Sequence, residues 1–400
     1  MPDRLKIGYL VPQFPGQTHI FFWRELAALE RMGAEVTLFS TRKPPAGLIA
    51  HAWSAEAMAR TLYLGLPRRD LLPAWARLPF LTRARERAGI WRDLALSAPA
   101  ARRLKREAAR RGIGHVHVHS CGRAALVAAL ARRMGGPRYS LTLHGPLSDY
   151  GPGQAFKWQG AAFGTVITEK LRRELTAELG AALPARLPVR PMGVDPDEMK
   201  RDAPYEPPRP GAPIRLFSCG RLNVVKGHQD LMQAVRLLLD QGLQVELDIA
   251  GEDDDGGAGF HAELQAHLEA LNLQEHVRLL GAIDAGQVRA HLLAADIFVL
   301  ASWHEPLGVA YMEAMSCEVP TIGTAAGGVP ELIRFGIDGL LVPPKQPDLL
   351  AEAIARIARD PALARRLSQA GRARIVKDFD AALGAETLLR EIRRAAGGAR

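Results

Sequence analysis

Two rhythms alternate along this chain: short, nearly unbroken apolar runs, and longer stretches in which apolar residues return at helical spacing. Leu5 to Val11 predicts a buried first strand. The loop Pro12 to His19 follows, then a helix from about Ile20 to Met32, with Gly33 as its C-cap and Ala34 to Phe39 as a second strand. Residues 44–112 read as helical and basic, interrupted by prolines. Strands return at His115–His119 and Arg138–Leu143, with a helix Arg123–Met134 between them. A short strand Val166–Thr168 and a helix 169–180 close this first half. A proline-rich stretch, 184–213, then separates it from a second series. There the strands are 214–219, 243–250, 277–280, 296–301, 319–322 and 339–342, and the helices 228–241, 260–271, 285–294 and 308–316, followed by terminal helices. Regular β/α alternation predicts doubly wound parallel sheets, here in two Rossmann-like domains facing a central cleft. The expected boundaries are 1–185 and 186–379, with a separate C-terminal segment 380–400.

Composition changes little in this picture. An apolar fraction of 48% and a charged fraction of 24% are ordinary for a globular protein. No apolar run approaches the roughly 18 residues of a spanning helix. The start of the chain passes directly into strand without the apolar core of a signal peptide. Cys121, Cys219 and Cys317 lie far apart, with neither metal nor disulfide spacing, which predicts a cytoplasmic protein. Charge is more informative. The net charge is +9, and residues 68–111 carry 13 Lys/Arg against four Asp/Glu, with Trp75, Phe80 and Trp91 interleaved. Such a segment suits an anionic membrane surface or a lipid-linked anionic substrate. A plain solvated helical face is the alternative, and no nucleic-acid-binding signature accompanies the charge.

Candidate chemistry gathers at predicted strand ends. The apolar run Asp296–Ser302 leads into the polar stretch Trp303–Glu313, where Gly308 opens a run of helix formers. Strand, short loop and helix N-terminus form an anion-binding arrangement, with the first amides, among them Val309, free to donate. Glu305 and Glu313 would stand about 12 Å apart at helical rise, too far for a glycosidase acid/base pair, which needs roughly 5–9.5 Å. They suit an elongated ligand gripped at two places. Arg221 and Lys226 share the loop after strand 214–219, an Arg fork plus a Lys point charge that can hold a diphosphate without a metal. Gly16, in the loop after the first strand, either lets backbone approach a ligand closely or simply serves a turn; GxGxxG is absent. His115, His117 and His119 alternate along one strand; with His115 and His119 set on one face and His117 on the other, they line a cleft or pack rather than bind metal. His144, at a strand end beside Gly145, is a site candidate.

Taken in order, Gly220-Arg221-x4-Lys226-Gly227, Glu305-x7-Glu313 and the stretch Gly327 to Glu331 resemble the retaining GT-B glycosyltransferases of family 4, across the whole chain. The opening, Pro12 to Arg24, and His51-x-Trp53 look like the exopolysaccharide-biosynthesis members. The resemblance implies that Arg221 and Lys226 bind the donor diphosphate, Gly308 and Val309 amides meet the phosphates, and Gly16 borders the diphosphate. It places Glu305 on the donor sugar, Glu313 on the ribose, His144 near the anomeric centre, and Gly281 and Ile283 beside the base. It further implies a final helix folded back on the N-terminal domain, no metal or other cofactor, and front-face attack with retention. The donor would be a nucleotide sugar, UDP-linked, and the acceptor a lipid-linked glycan on the inner face of the plasma membrane. Where family members often carry Gly-Phe-Gly after the first glutamate, this chain has Pro306, Leu307 and Gly308, a stiffer loop that leaves the sugar open. Gly151 to Gly153 suggests an acceptor loop. A GT-B sugar-nucleotide epimerase would need acid/base carboxylates that cannot be placed, and an inactive assembly scaffold is at odds with the intact Arg221, Lys226, Glu305 and Glu313.

Overall fold

The computed structural model describes residues 4–16, 19–44, 53–65, 89–253 and 259–397. His51, Trp75, Phe80 and most of the basic stretch before residue 89 lie outside the described residues. The chain forms two compact units, Met1–Met192 with Ala381–Arg400, and Gly193–Asp380.

In the first unit six strands pair in parallel: β1 (Lys6–Gln13), β2 (Glu35–Arg42), β3 (Leu62–Tyr63), β4 (His115–Val118), β5 (Arg138–Leu143) and β6 (Gly164–Val166), in the order β3-β2-β1-β4-β5-β6. Ile7, Tyr9, Leu10 and Val11 are buried because helices cover both faces of a parallel sheet. Helices α1 (Ile20–Arg31), α2 (Ser54–Arg60), α3 (Gly89–Arg111), α4 (Arg123–Arg133), α5 (Gln154–Trp158) and α6 (Glu169–Leu179) connect or flank the strands.

Two expectations change here. Within 44–112, read as helical, the two-residue strand β3 adds to the sheet edge beside β2; a single hydrogen-bonded step is too short to show a period. The strand expected at Val166–Thr168 is Gly164–Val166 instead, because the Thr168 side chain accepts the Leu171 amide and caps α6.

The second unit repeats the topology. Strands β7 (Ile214–Cys219), β8 (Val245–Ala250), β9 (Val277–Gly281), β10 (Ile297–Val299), β11 (Thr321–Thr324) and β12 (Leu340–Val342) are all parallel, ordered β12-β11-β10-β7-β8-β9. Counted within each unit, both sheets run 3-2-1-4-5-6, so strand order reverses beside the first strand, between β1 and β4 and between β7 and β10. Helices α7 (His228–Asp240), α8 (Phe260–Ala270), α9 (Ala285–Ala294), α10 (Val309–Ser316), α11 (Val329–Leu332), α12 (Pro347–Arg359) and α13 (Pro361–Asp378) complete this unit. Local signals fix their starts: Asp284 and Gln287 form a reciprocal capping box on α9, and Asp360 caps α13 just ahead of Pro361.

The last helix, α14 (Ala381–Gly397), belongs to the first unit. Its Ala385, Leu388, Leu389 and Ile392 share a core with Phe22, Leu26 and Leu29 of α1. The Arg186 guanidinium grips Glu391 with two nitrogens, one at 2.7 Å, and holds that carboxylate below the usual range. Among the described residues no helix is long and apolar enough to cross a membrane.

Candidate active site

In an open parallel sheet the loops leaving neighbouring strands diverge where the order reverses, which opens a crevice at the carboxyl ends. In the second unit those loops follow β7 and β10, and they carry the residues singled out from sequence. Lys226 Nζ lies 2.5 Å from Glu305 Oε2, with the two side chains only 13% and 9% exposed. Ser302 Oγ is 3.4 Å from the same oxygen.

The backbone locks the loops together. The Trp303 amide donates to the Val225 carbonyl at 2.7 Å. Gly227, at φ +69°, sits so near β10 that a Cβ would fall 2.0 Å from the Ala301 carbonyl oxygen. The third loop, after β11, closes over the second. The Gly328 amide donates to the Glu305 carbonyl at 2.9 Å, and a Cβ on Gly327 (φ +62°) would lie 1.9 Å from that oxygen. The Gly327 to Glu331 motif therefore has a steric task, which is to let backbone pass against Glu305.

Gly308, at φ +94°, precedes α10, whose Tyr311 hydroxyl donates to the Leu300 carbonyl at 2.7 Å and anchors the helix on β10. Burial and then Glu305 hold the Tyr311 hydroxyl well above its ordinary value. Glu313, one turn into α10, is half-buried. Burial and then Glu313 push the Cys219 thiol up to about 12, against an opposing pull from Lys226, so both charges act on the end of β7. Arg221 is exposed on the β7 loop, while Gly281 ends β9 at φ +69° and Ile283 follows it half-buried. Trp303 donates from Nε1 to Asp230 at 2.5 Å, and Lys345 Nζ stands 4.1 Å above its ring.

The first unit has its own cluster of polar groups. Here the expected strand facing is corrected. His115 Nε2 and His117 Nδ1 lie 2.8 and 2.7 Å from the same hydroxyl, Ser140 Oγ, and the rings of His117 and His119 are 4.5 Å apart. Side chains alternate at every residue of a strand, so positions two and four apart share a face. His117 Nε2 also meets Thr142 Oγ1 at 2.8 Å. Burial drives the His115 pKa down to about 3, helped by Arg138, and lowers that of His117 well below its ordinary value. His144, at the end of β5, packs against Phe21 and Phe22, and its Nε2 is 3.3 Å from His119 Nδ1. Burial, then His119 and His19, lower its pKa strongly. His119 Nε2 in turn lies 3.0 Å from Glu25 Oε2, which accepts a 2.8 Å hydrogen bond from the Tyr9 hydroxyl. A Cβ on Gly16 would lie 2.6 Å from His19 Nδ1, so a larger residue there would have to displace the His19 ring.

Sequence reasoning missed Glu25. The signal was present, since Glu25 interrupts the apolar set Phe22, Leu26 and Leu29 on the buried face of α1 and is 3% exposed. Among the described residues no group of three or more His, Cys, Asp and Glu is arranged to hold a metal ion.

Comparison with known proteins agrees with both halves. Residues 200–374 match the family described as glycosyl transferases group 1, and residues 21–198 match glycosyltransferase family 4. The amylovoran biosynthesis glycosyltransferase AmsK of Erwinia amylovora is 30% identical over 201 residues, covering 48% of this chain and 47% of the relative, so this chain spans about half its length. The putative colanic acid biosynthesis glycosyltransferase WcaL of Salmonella typhimurium is 26% identical over 388 residues, covering 89% and 91%. Among solved structures, sucrose-phosphate synthase from Thermosynechococcus elongatus superposes with a TM-score of 0.74 at 23% identity, over 98% of this chain and 100% of that one. Anabaena HepE in complex with UDP-glucose gives 0.76 at 18% identity, over 98% and 100%. Twin parallel sheets of one strand order, with family matches running in succession from residue 21 to residue 374, place this chain among the GT-B glycosyltransferases of family 4.

Proposed function

We propose that the chain transfers a hexose, with retention, from a UDP-linked donor to a lipid-linked glycan acceptor in exopolysaccharide biosynthesis, without a metal. The observation that carries this reading is the Lys226–Glu305 pair on the two loops that flank the β7/β10 reversal, one turn ahead of the α10 N-terminus. A cation and free helix amides there suit a diphosphate, and a carboxylate beside them suits sugar hydroxyls. The names of the relatives point to exopolysaccharide assembly, and HepE is seen with UDP and UDP-glucose.

In the proposed reaction the bond from C1 to the β-phosphate oxygen breaks and a bond from C1 to the acceptor oxygen forms on the same face. The acceptor hydroxyl's proton passes to the departing phosphate oxygen, and UDP leaves. Negative charge grows on the leaving group, so fixed cations and amides bind the transition state more tightly than the ground state. We assign Arg221, Lys226 and the Gly308 and Val309 amides to the diphosphate, Glu305 to the sugar, Glu313 to the ribose, and Gly281 and Ile283 to the base. In the first unit we assign His144 to the transferred sugar and Gly16 to the diphosphate.

Calorimetric titration of UDP, GDP and ADP tests the donor. UDP should bind, and Arg221→Ala should weaken it about tenfold or more, the loss expected for a charge-assisted contact. Tight GDP binding in its place would move the donor to a GDP-sugar, and binding of none would sink the site.

The membrane side of the proposal rests on α3, which exposes Trp91 (46%) and, from about three turns further along the same helical stripe, Arg102, Arg106 and Arg110. The protein should float with vesicles containing anionic phospholipid, and replacing those three arginines with glutamate should abolish flotation. Flotation that survives the replacement, or never occurs, refutes it.

A further inference from the structure

Lys226 and Asp230 stand on either side of Gly227, yet the two do not pair. Lys226 turns to Glu305 on the neighbouring loop, and Asp230, in the first turn of α7, accepts the Trp303 indole N–H at 2.5 Å. One residue thus reaches both ends of this segment. The Trp303 amide donates to the carbonyl of Val225, the residue before Lys226, while its ring holds the carboxylate beyond it. The proposed transfer step uses Lys226 and Glu305 and gives Trp303 and Asp230 no part.

The ring is held on its face as well. Lys345, in the loop after β12, places Nζ 4.1 Å from the ring centroid. Its backbone is left-handed, at φ +60°, a conformation uncommon for a residue with a Cβ and kept where the surroundings impose it. The start of α7 is fixed too. Gly227, at φ +69°, is closed against the Ala301 carbonyl, so the turn between Lys226 and the helix has no room to shift. Asp230 therefore stays beside the lysine's loop, and only the direction of its side chain decides what it meets.

We propose that Trp303 is a positioning residue whose indole N–H keeps the Asp230 carboxylate off Lys226. A lysine ammonium has three donors, of which Glu305 takes one, and the Lys226–Glu305 pair is neutral. A second carboxylate on the same ammonium would occupy another donor and leave the group negative, where a diphosphate needs a cation. An indole suits the task because it is a donor only: it satisfies Asp230 without adding a charge that competes with Lys226. The separation of Asp230 from Lys226 stands on the contacts of the second unit alone; its consequence for donor binding rests on the assignment of Lys226 to the diphosphate.

Ammonium nitrogen-15 spectra of the full chain, labelled at lysine, test this directly, with the Lys226 signal assigned by its loss in Lys226→Met. Trp303→Phe keeps a ring under Lys345 but removes the N–H, and the Lys226 signal should shift as Asp230 reaches it. In Trp303→Phe/Asp230→Asn the signal should return towards its wild-type position, although the indole is still missing. If Trp303→Phe does not fold, Trp303→Leu carries the same test. An unshifted Lys226 in the single variant overturns the proposal. So does a shift that persists in the double variant, because the lost ring and not the freed carboxylate would then be its cause. Calorimetry with UDP gives the consequence. The single variant should bind UDP about tenfold more weakly, the scale of one charge-assisted contact, and the double variant should regain the wild-type affinity. The spectra need no nucleotide. A wild type that binds no UDP would therefore remove the donor-site reading, while the Lys226 signal still decides whether Trp303 parts the two charges.

Discussion

Lys226→Met should cost the protein both stability and turnover, and adding Glu305→Gln should restore only the stability. The two charges are 2.5 Å apart and almost enclosed, at 13% and 9% exposure. Removing the lysine leaves a carboxylate with little water and no counter-charge, a loss of about 3 kcal/mol for a buried pair broken on one side. The methionine fills the volume of the lysine stem, so no cavity adds to that cost. In Lys226→Met/Glu305→Gln both charges are gone and the amide can keep the contact to Ser302 Oγ, 3.4 Å away in the wild type. Neutral replacement of a whole buried pair is close to neutral in stability. Activity should not follow. On the proposed reading, Lys226 meets charge that develops on the departing diphosphate, and loss of one such group lowers kcat by about 100- to 1000-fold. Urea midpoints and donor turnover, measured on the single and double variants, separate the two effects. A single variant as stable as the wild type would mean that the pair is not enclosed in solution. A double variant that regains turnover would remove Lys226 from the diphosphate.

That pair also shows what could be read from the chain and what could not. Lys226 and Glu305 each stand in a short polar loop after an apolar run, and the β/α rhythm is local enough to assign both loops to carboxyl strand ends. The pairing of these residues, 79 positions apart, needs the strand order, because β10 lies beside β7 only after the sheet reverses. The same holds for Gly327, whose need for glycine comes from the Glu305 carbonyl as well as from its own left-handed turn. Strand β3 escaped because two residues carry no period. The contacts that join Glu25, His119 and His144 escaped for a topological reason: α1, β4 and β5 meet only once the first sheet has formed. The histidine triplet on β4 was visible, but assigning its members to opposite faces hid the shared contact with Ser140, which the strand period of two requires.

Acid should unfold the first unit before the second. Burial keeps His115, His117 and His144 neutral in the folded first unit, His115 down to about 3 and the others with pKa values well below ordinary. In the second unit, among the described residues, the counterpart is His228, lowered to about 4 by burial and by Lys226. These are depressed bases, so the unfolded chain takes up protons below pH 6.5 that the folded chain refuses until its own lower pKa is reached. Stability is therefore full above 6.5 and falls as pH drops through the window from 6.5 towards 3. Each imidazole contributes a slope of up to about 1.4 kcal/mol per pH unit within that window. Three such groups against one make the first unit lose stability about three times as steeply, and a drop of several kcal/mol is a large part of the total for a domain. Between pH 6.5 and 5, before most carboxylates protonate, hydrogen exchange read by mass spectrometry should show β1, β4 and β5 opening while β7 and β10 stay protected. Replacing His115 with asparagine, which cannot take up a proton, should flatten the slope of the first unit by about a third. Equal slopes in the two units would mean that the buried histidines gain water or a proton in the native state.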